Sequence, residues 1–74
     1  MIRGYLRWKR QLWRLQRTER RAYRAWYRAK LSYARKAYAE GFPAALPEMD
    51  RVGPLGESFR EARYARMLHE GLIP

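Results

Sequence analysis

The chain contains no cysteine, which excludes disulfides and thiolate metal sites and leaves its redox compartment undetermined. It has a single histidine, His69, so no second imidazole is present to share a metal ion. No apolar run approaches the roughly 18 residues of a membrane-spanning helix, and the chain is not expected to cross a bilayer in that form. The first residues lack the apolar segment of a secretory signal. They are arginine-rich and acid-poor, as in an organellar transit peptide, but without the serines usual there. Proline is absent from residues 1–40, where Glu19 and Glu40 are the only acids, and asparagine is absent throughout.

What is present is positive charge. In 74 residues, 17 Lys or Arg face 7 Asp or Glu, for a net charge of +10 and a pI near 10.9. A chain this short forms one domain at most, with a small core. The charge is concentrated in residues 1–40, which hold 13 cations against 2 acids, whereas residues 41–74 hold 4 arginines against 5 acids. A balance this basic calls for a polyanionic partner, and that partner belongs to the first half.

Residues 1–40 read as one long helix, rich in alanine, arginine, leucine, lysine and glutamine. Arg3, Arg7, Arg10, Arg14, Arg17, Arg21, Arg24 and Arg28 recur at alternating spacings of four and three, which places them on one slowly winding stripe. At about 1.5 Å per residue this ladder is about 38 Å long. A second stripe, Tyr5, Trp8, Leu12, Leu15, Ala22, Trp26, Ala29 and Tyr33, projects to the opposite side. Glu19 interrupts it at a core position, and residues 16–21 contain no apolar side chain. Without Gly or Pro there, and with no capping box following Thr18, the helix is expected to continue through this polar waist.

The helix should end near Glu40, with Gly41 as a left-handed cap and Pro43 preventing continuation. Residues 41–56, with Pro43, Pro47, Pro54 and three glycines, read as an extended connector. Its apolar residues Phe42, Leu46, Met49, Val52 and Leu55 would pin it to a surface. Residues 57–74 read as a short capped helix and tail. Ser58 and Glu61 form the box that starts the helix, and Gly71 closes it near Glu70 with Leu72 placed against Met67. Tyr64, Met67 and Leu68 share one face. The expected fold class is all-α, with one long basic amphipathic helix, an extended Pro/Gly connector, one short C-terminal helix and no self-sufficient globular core. On that layout the 34 residues after Glu40 do not cover the aromatic stripe, and another chain must.

Catalysis finds little support in these residues. His69 falls in the last turn of the second helix, where a cation meets the helix dipole favourably. Glu57 and Glu61 are one turn apart and suit capping and ion pairing. There is no glycine-rich phosphate loop, and neither serine has a partner base. A non-enzyme without cofactor, metal or small-molecule substrate is expected.

The ladder asks more. Solvated helices ordinarily interleave acids with bases three or four residues apart, but here like charges occupy those distances, at a cost of a few tenths of a kcal/mol per pair. An arginine-biased composition accounts for the choice of cation and not for the missing acids. An external anion would offset the repulsion. RNA phosphates suit guanidinium forks, while Tyr and Trp can stack on unpaired bases. These features predict a small structural RNA-binding subunit of a large ribonucleoprotein, ribosomal or organellar-ribosomal in type. Its arginine stripe would contact structured RNA such as rRNA. Its protein contacts would come from Tyr5, Trp8, Leu12, Leu15, Trp26, Tyr33, Tyr64, Met67 and Leu68. The expected location is intracellular, in cytoplasm or mitochondrial matrix.

Two alternatives share the ladder: a helix on an anionic membrane surface or accessory subunit of a membrane-associated complex, and a non-specific DNA binder. The run Ala22-Tyr23-Arg24-Ala25-Trp26-Tyr27-Arg28 resembles the Leu-Tyr-Arg helix start of a family of small mitochondrial accessory and assembly proteins. Ala22 stands in place of the leading leucine, and the chain lacks that family's three-helix length, so the likeness adds no expectation of its own.

Overall fold

The computed structural model of the protein describes residues 2–74. The fold is all-α: helix α1 spans Ile2–Glu40 and helix α2 spans Phe42–Glu70, joined by Gly41 alone. The helices fold back on one another into a hairpin measuring 58 × 20 × 14 Å. Among the described residues no helix is long and apolar enough to cross a membrane.

Helix α1 passes through residues 16–21 without a break. Thr18 turns its hydroxyl back along the helix to donate to the Arg14 carbonyl at 3.0 Å, so it caps no new element. At the far end the Gly41 N–H donates to the Ala37 carbonyl at 3.0 Å and closes the last turn. Gly41 then adopts φ 91° and ψ 163°, a region essentially restricted to glycine. One residue in this conformation reverses the chain.

The connector expected over residues 41–56 is helical from Phe42 onward. Pro43 stands in the first turn of α2, where a helix has no use for the missing N–H and the fixed φ favours initiation. It follows the end of α1 as expected and also opens a second helix where a connector was expected. Pro47 and Pro54 are internal, each removing one backbone bond at a cost of about 3 kcal/mol in an isolated helix. Both are exposed and seven residues apart, so they share the solvent side, where a proline bends a helix convexly around its partner. Opposing that cost is the other side of the same turns. Ala45 is fully buried, and Val52, Leu55 and Phe59 are half-buried against α1. Phe42, Leu46 and Met49, expected to pin the segment, remain more than half exposed.

Ser58 and Glu61 accordingly lie inside α2, both exposed, and start nothing. The C-terminal end follows the expected pattern. Gly71 is left-handed at φ 75° and ψ 18°, with Gly71 N–H on the Leu68 carbonyl at 3.1 Å and Leu72 N–H on the Met67 carbonyl at 3.0 Å.

Because α2 is 29 residues long, it runs beside most of α1 and half-buries the stripe from Leu12 to Tyr33 that was expected to need another chain, while Tyr5 and Trp8 remain exposed. An aromatic cluster sits midway. Trp26 stacks on Phe59 with centroids 5.5 Å apart, and Tyr23 meets Phe59 edge-on at 5.3 Å. Gly56 allows this approach: a Cβ there would lie 3.0 Å from Trp26 Nε1, whereas one on Gly53 would meet nothing within 4 Å. The core is thin, and no large side chain is fully buried among the described residues.

Gly53 precedes Pro54, which disfavours helical backbone in a preceding residue with a Cβ. The free comparison is therefore Gly4, exposed on α1, where an added Cβ also meets nothing within 4 Å. Gly4→Ala should stabilise the hairpin by about 0.5–1 kcal/mol through helix propensity. Gly56→Ala must displace the Trp26 ring and should fall short of that gain by about 1 kcal/mol or more. Thermal unfolding followed by circular dichroism compares the two, and equal gains would contradict the Trp26 contact.

Candidate nucleic-acid interface

Three polar stations cross between the helices and set their register. Near the turn, Glu48 accepts from Ser32 Oγ at 3.4 Å and pairs with Lys36 Nζ at 3.8 Å. At the open end the Trp8 indole N–H donates to the His69 carbonyl at 3.2 Å, and His69 Nε2 lies 2.8 Å from the Trp8 carbonyl. The His69 ring also stacks on Trp8 at 5.2 Å. Since a carbonyl only accepts, this bond requires a proton on Nε2.

The middle station is the polar waist. Glu19 accepts from Arg66 Nε and, at 3.3 Å, from Arg66 Nη2, while Arg63 Nε stands 4.0 Å away. Arg66 Nη1 donates to Glu70 at 2.6 Å. The hydrogen bond to Glu19 holds the Arg66 guanidinium above its ordinary range against the opposing effect of desolvation, and Glu70 adds to the rise. The residue that interrupts the apolar stripe of α1 is thus the one that binds α2 at the middle station. A lone acid at a core position of a basic helix implies a partner cation across the interface, and that signal was present in the sequence.

These pairings decide what remains on the outside. Glu19, Glu48 and Glu70 are half-buried and turned to the interface, while Asp50, Glu57 and Glu61 lie exposed at helical spacing on α2. Arg3, Arg7, Arg10, Arg14, Arg17, Arg21, Arg24 and Arg28 are all exposed on α1, and among the described residues none lies within 4.0 Å of a carboxylate. The structure brings all eight to one helix. It also adds Arg20, which the three-and-four spacing misses. Arg20 and Trp13 are seven residues apart and share a flank, so helical geometry would have found it. Arg17, Arg20, Arg21 and Arg24 surround one side of Trp13 in an open hollow of about 460 Å³.

The expected protein-contact residues separate into two groups. Leu12, Leu15, Trp26 and Tyr33 are half-buried on the stripe beside α2, and Trp8 is held by His69, so these serve the hairpin itself. Tyr5, stacked on Trp8 at 6.5 Å, stays mostly exposed. In α2 the side facing α1 carries Phe59, Ala62, Arg66 and His69, which leaves Tyr64 and Leu68 exposed and Met67 half-buried. Among the described residues no group of three or more His, Cys, Asp or Glu is placed to hold a metal ion. No protein family matches the chain, and no curated protein or solved structure is significantly similar to it.

Removing the charge at the waist should show its contribution to the fold. Glu19→Gln leaves Arg66 half-buried with Glu70 alone and should destabilise the hairpin by about 1–2 kcal/mol. Glu19→Leu combined with Arg66→Leu should recover most of that loss, since an apolar pair replaces both partners. Urea unfolding of the single and double variants measures the coupling, and strict additivity would argue against a direct interaction.

Proposed function

We propose that the protein is a small structural subunit of a ribonucleoprotein, of ribosomal or organellar-ribosomal type, that lies along structured RNA through the arginine face of α1. One observation carries this reading: among the described residues, eight guanidinium groups share an exposed face without a carboxylate within ion-pairing distance, while three acids are drawn into the hairpin interface. Repulsion along that face has no internal compensation. Phosphates provide an external one, and the planar guanidinium engages them in paired hydrogen bonds.

The role is one of binding and not of catalysis. The ladder contacts backbone and carries no pattern for reading base edges in a groove, so recognition is by shape and charge. With most of the aromatic stripe facing α2, contacts to neighbouring proteins fall to the expected contact residues left exposed, Tyr5, Tyr64 and Leu68.

The measurement is the salt dependence of binding to duplex RNA. Engagement of six to eight arginines gives a logarithmic slope of about −5 to −7. Arg14→Ala with Arg21→Ala should make that slope shallower by about 2, while Arg60→Ala on α2 leaves it unchanged. Binding to anionic vesicles with no binding to RNA would replace this reading by the membrane-surface one.

A further inference from the structure

The three tryptophans of α1 are used differently. Trp8 is tied to His69, and Trp26 is packed on Phe59 beneath Gly56. Trp13 has no aromatic partner on α2 and is 58% exposed. Leaving so large an apolar surface in water is unfavourable, at about 25 cal/mol per Å². Its surroundings differ sharply on its two sides. Toward the C-terminus lies the basic hollow of Arg17, Arg20, Arg21 and Arg24. On its other side a second open and mostly apolar hollow, about 440 Å³, is lined by Leu6, Lys9, Arg10, Leu12 and Gln16, with Trp13 again as a wall. The indole stands as a fin between an apolar recess and a cationic one. Arg17 Cζ lies 5.6 Å from the ring centroid on one face.

The ladder leads to this point. Spacing of 3.5 residues per step drifts about 20° per heptad across an α-helix, so Arg17 and Arg24 come closer to the flank of Trp13 than Arg3 or Arg7 do. We propose that Trp13 stacks an unpaired RNA base lodged in the apolar hollow, while Arg17, Arg20, Arg21 and Arg24 hold the phosphates flanking that nucleotide. An apolar wall next to clustered cations is complementary to a nucleotide, whose base is flat and apolar-faced and whose backbone is anionic. A fully paired stem offers only the backbone half. This inference rests on the arginine face being an RNA surface, and it adds that the protein prefers RNA interrupted by a bulged or flipped nucleotide.

The test uses the full chain and two fluorescently labelled RNA hairpins, one with a perfectly paired stem and one with a single bulged nucleotide, titrated at fixed salt. The wild-type protein should bind the bulged hairpin about tenfold more tightly, within the range that one base–aromatic stack provides. Trp13→Ala should bind both hairpins equally while keeping the salt slope on the paired stem, and Trp13→Phe should retain part of the preference. Because Trp13 is exposed, these variants should keep the wild-type circular dichroism. Equal wild-type affinity for the two hairpins, or a tenfold preference that survives Trp13→Ala, overturns the stacking role and leaves the ladder reading standing. No salt-sensitive binding of the paired stem would overturn both.

Discussion

The pairing of Glu19 with Arg66 is the constraint on which the arrangement of the hairpin turns. A helix carrying thirteen cations repels itself, and a second helix close to neutral does little to relieve it at a distance. Placing one acid of α1 in the interface and meeting it with Arg66, Arg63 and, through Arg66, Glu70 gives α2 a defined register at mid-length. Ser32 and Lys36 on Glu48, and Trp8 on His69, then fall into step on either side. The apolar contacts between stations are modest in area. Polar contacts select among the sliding alternatives that two striped helices otherwise offer.

The same pairing separates charge across the molecule. Acids used inside the interface are unavailable to screen the arginines outside it. Asp50, Glu57 and Glu61 sit on α2, so the hairpin has a cationic side and a side where acids are exposed. In the field of a long polyanion such a body turns before it touches, and the approach is oriented as well as accelerated. The aromatic residues divide in the same way. Trp8, Trp26 and Phe59 hold the helices together, while Trp13 borders the cationic side.

Much of α1 was legible in the sequence because period and composition agree there. The ladder and the opposing stripe follow from spacing, and the end at Glu40 from Gly41 and Pro43. Gly41 nevertheless takes an extended positive-φ conformation where a left-handed helical cap was expected. The second helix was misread at each point where a local signal competes with packing. Pro43 is a helix starter or a helix stopper depending on whether a helix follows it, and periodicity across Pro47 and Pro54 is masked by what prolines ordinarily mean. Ser58 and Glu61 match a capping box that packing leaves unused, because α2 is already formed when it reaches them. Tyr64, Met67 and Leu68 looked like the contact side of α2 by hydropathy. The side that faces α1 includes Arg66 and His69, chosen by partners on α1 that a reading of α2 alone does not contain.

Gly41 has a further consequence. With a one-residue turn, every cross-helix contact closes a loop whose length grows with distance from it: Ser32 to Glu48 spans 16 residues, Glu19 to Arg66 spans 47 and Trp8 to His69 spans 61. The closure entropy rises by about 0.6 kcal/mol per doubling, so the last of these is the most costly to close by about 1 kcal/mol relative to the first. That gradient favours closing the hairpin from the glycine outward and makes the opposite end the first to open. Arg3, Arg7 and Arg10 ride on that end, where Trp8 and His69 join the helices through one indole and one imidazole.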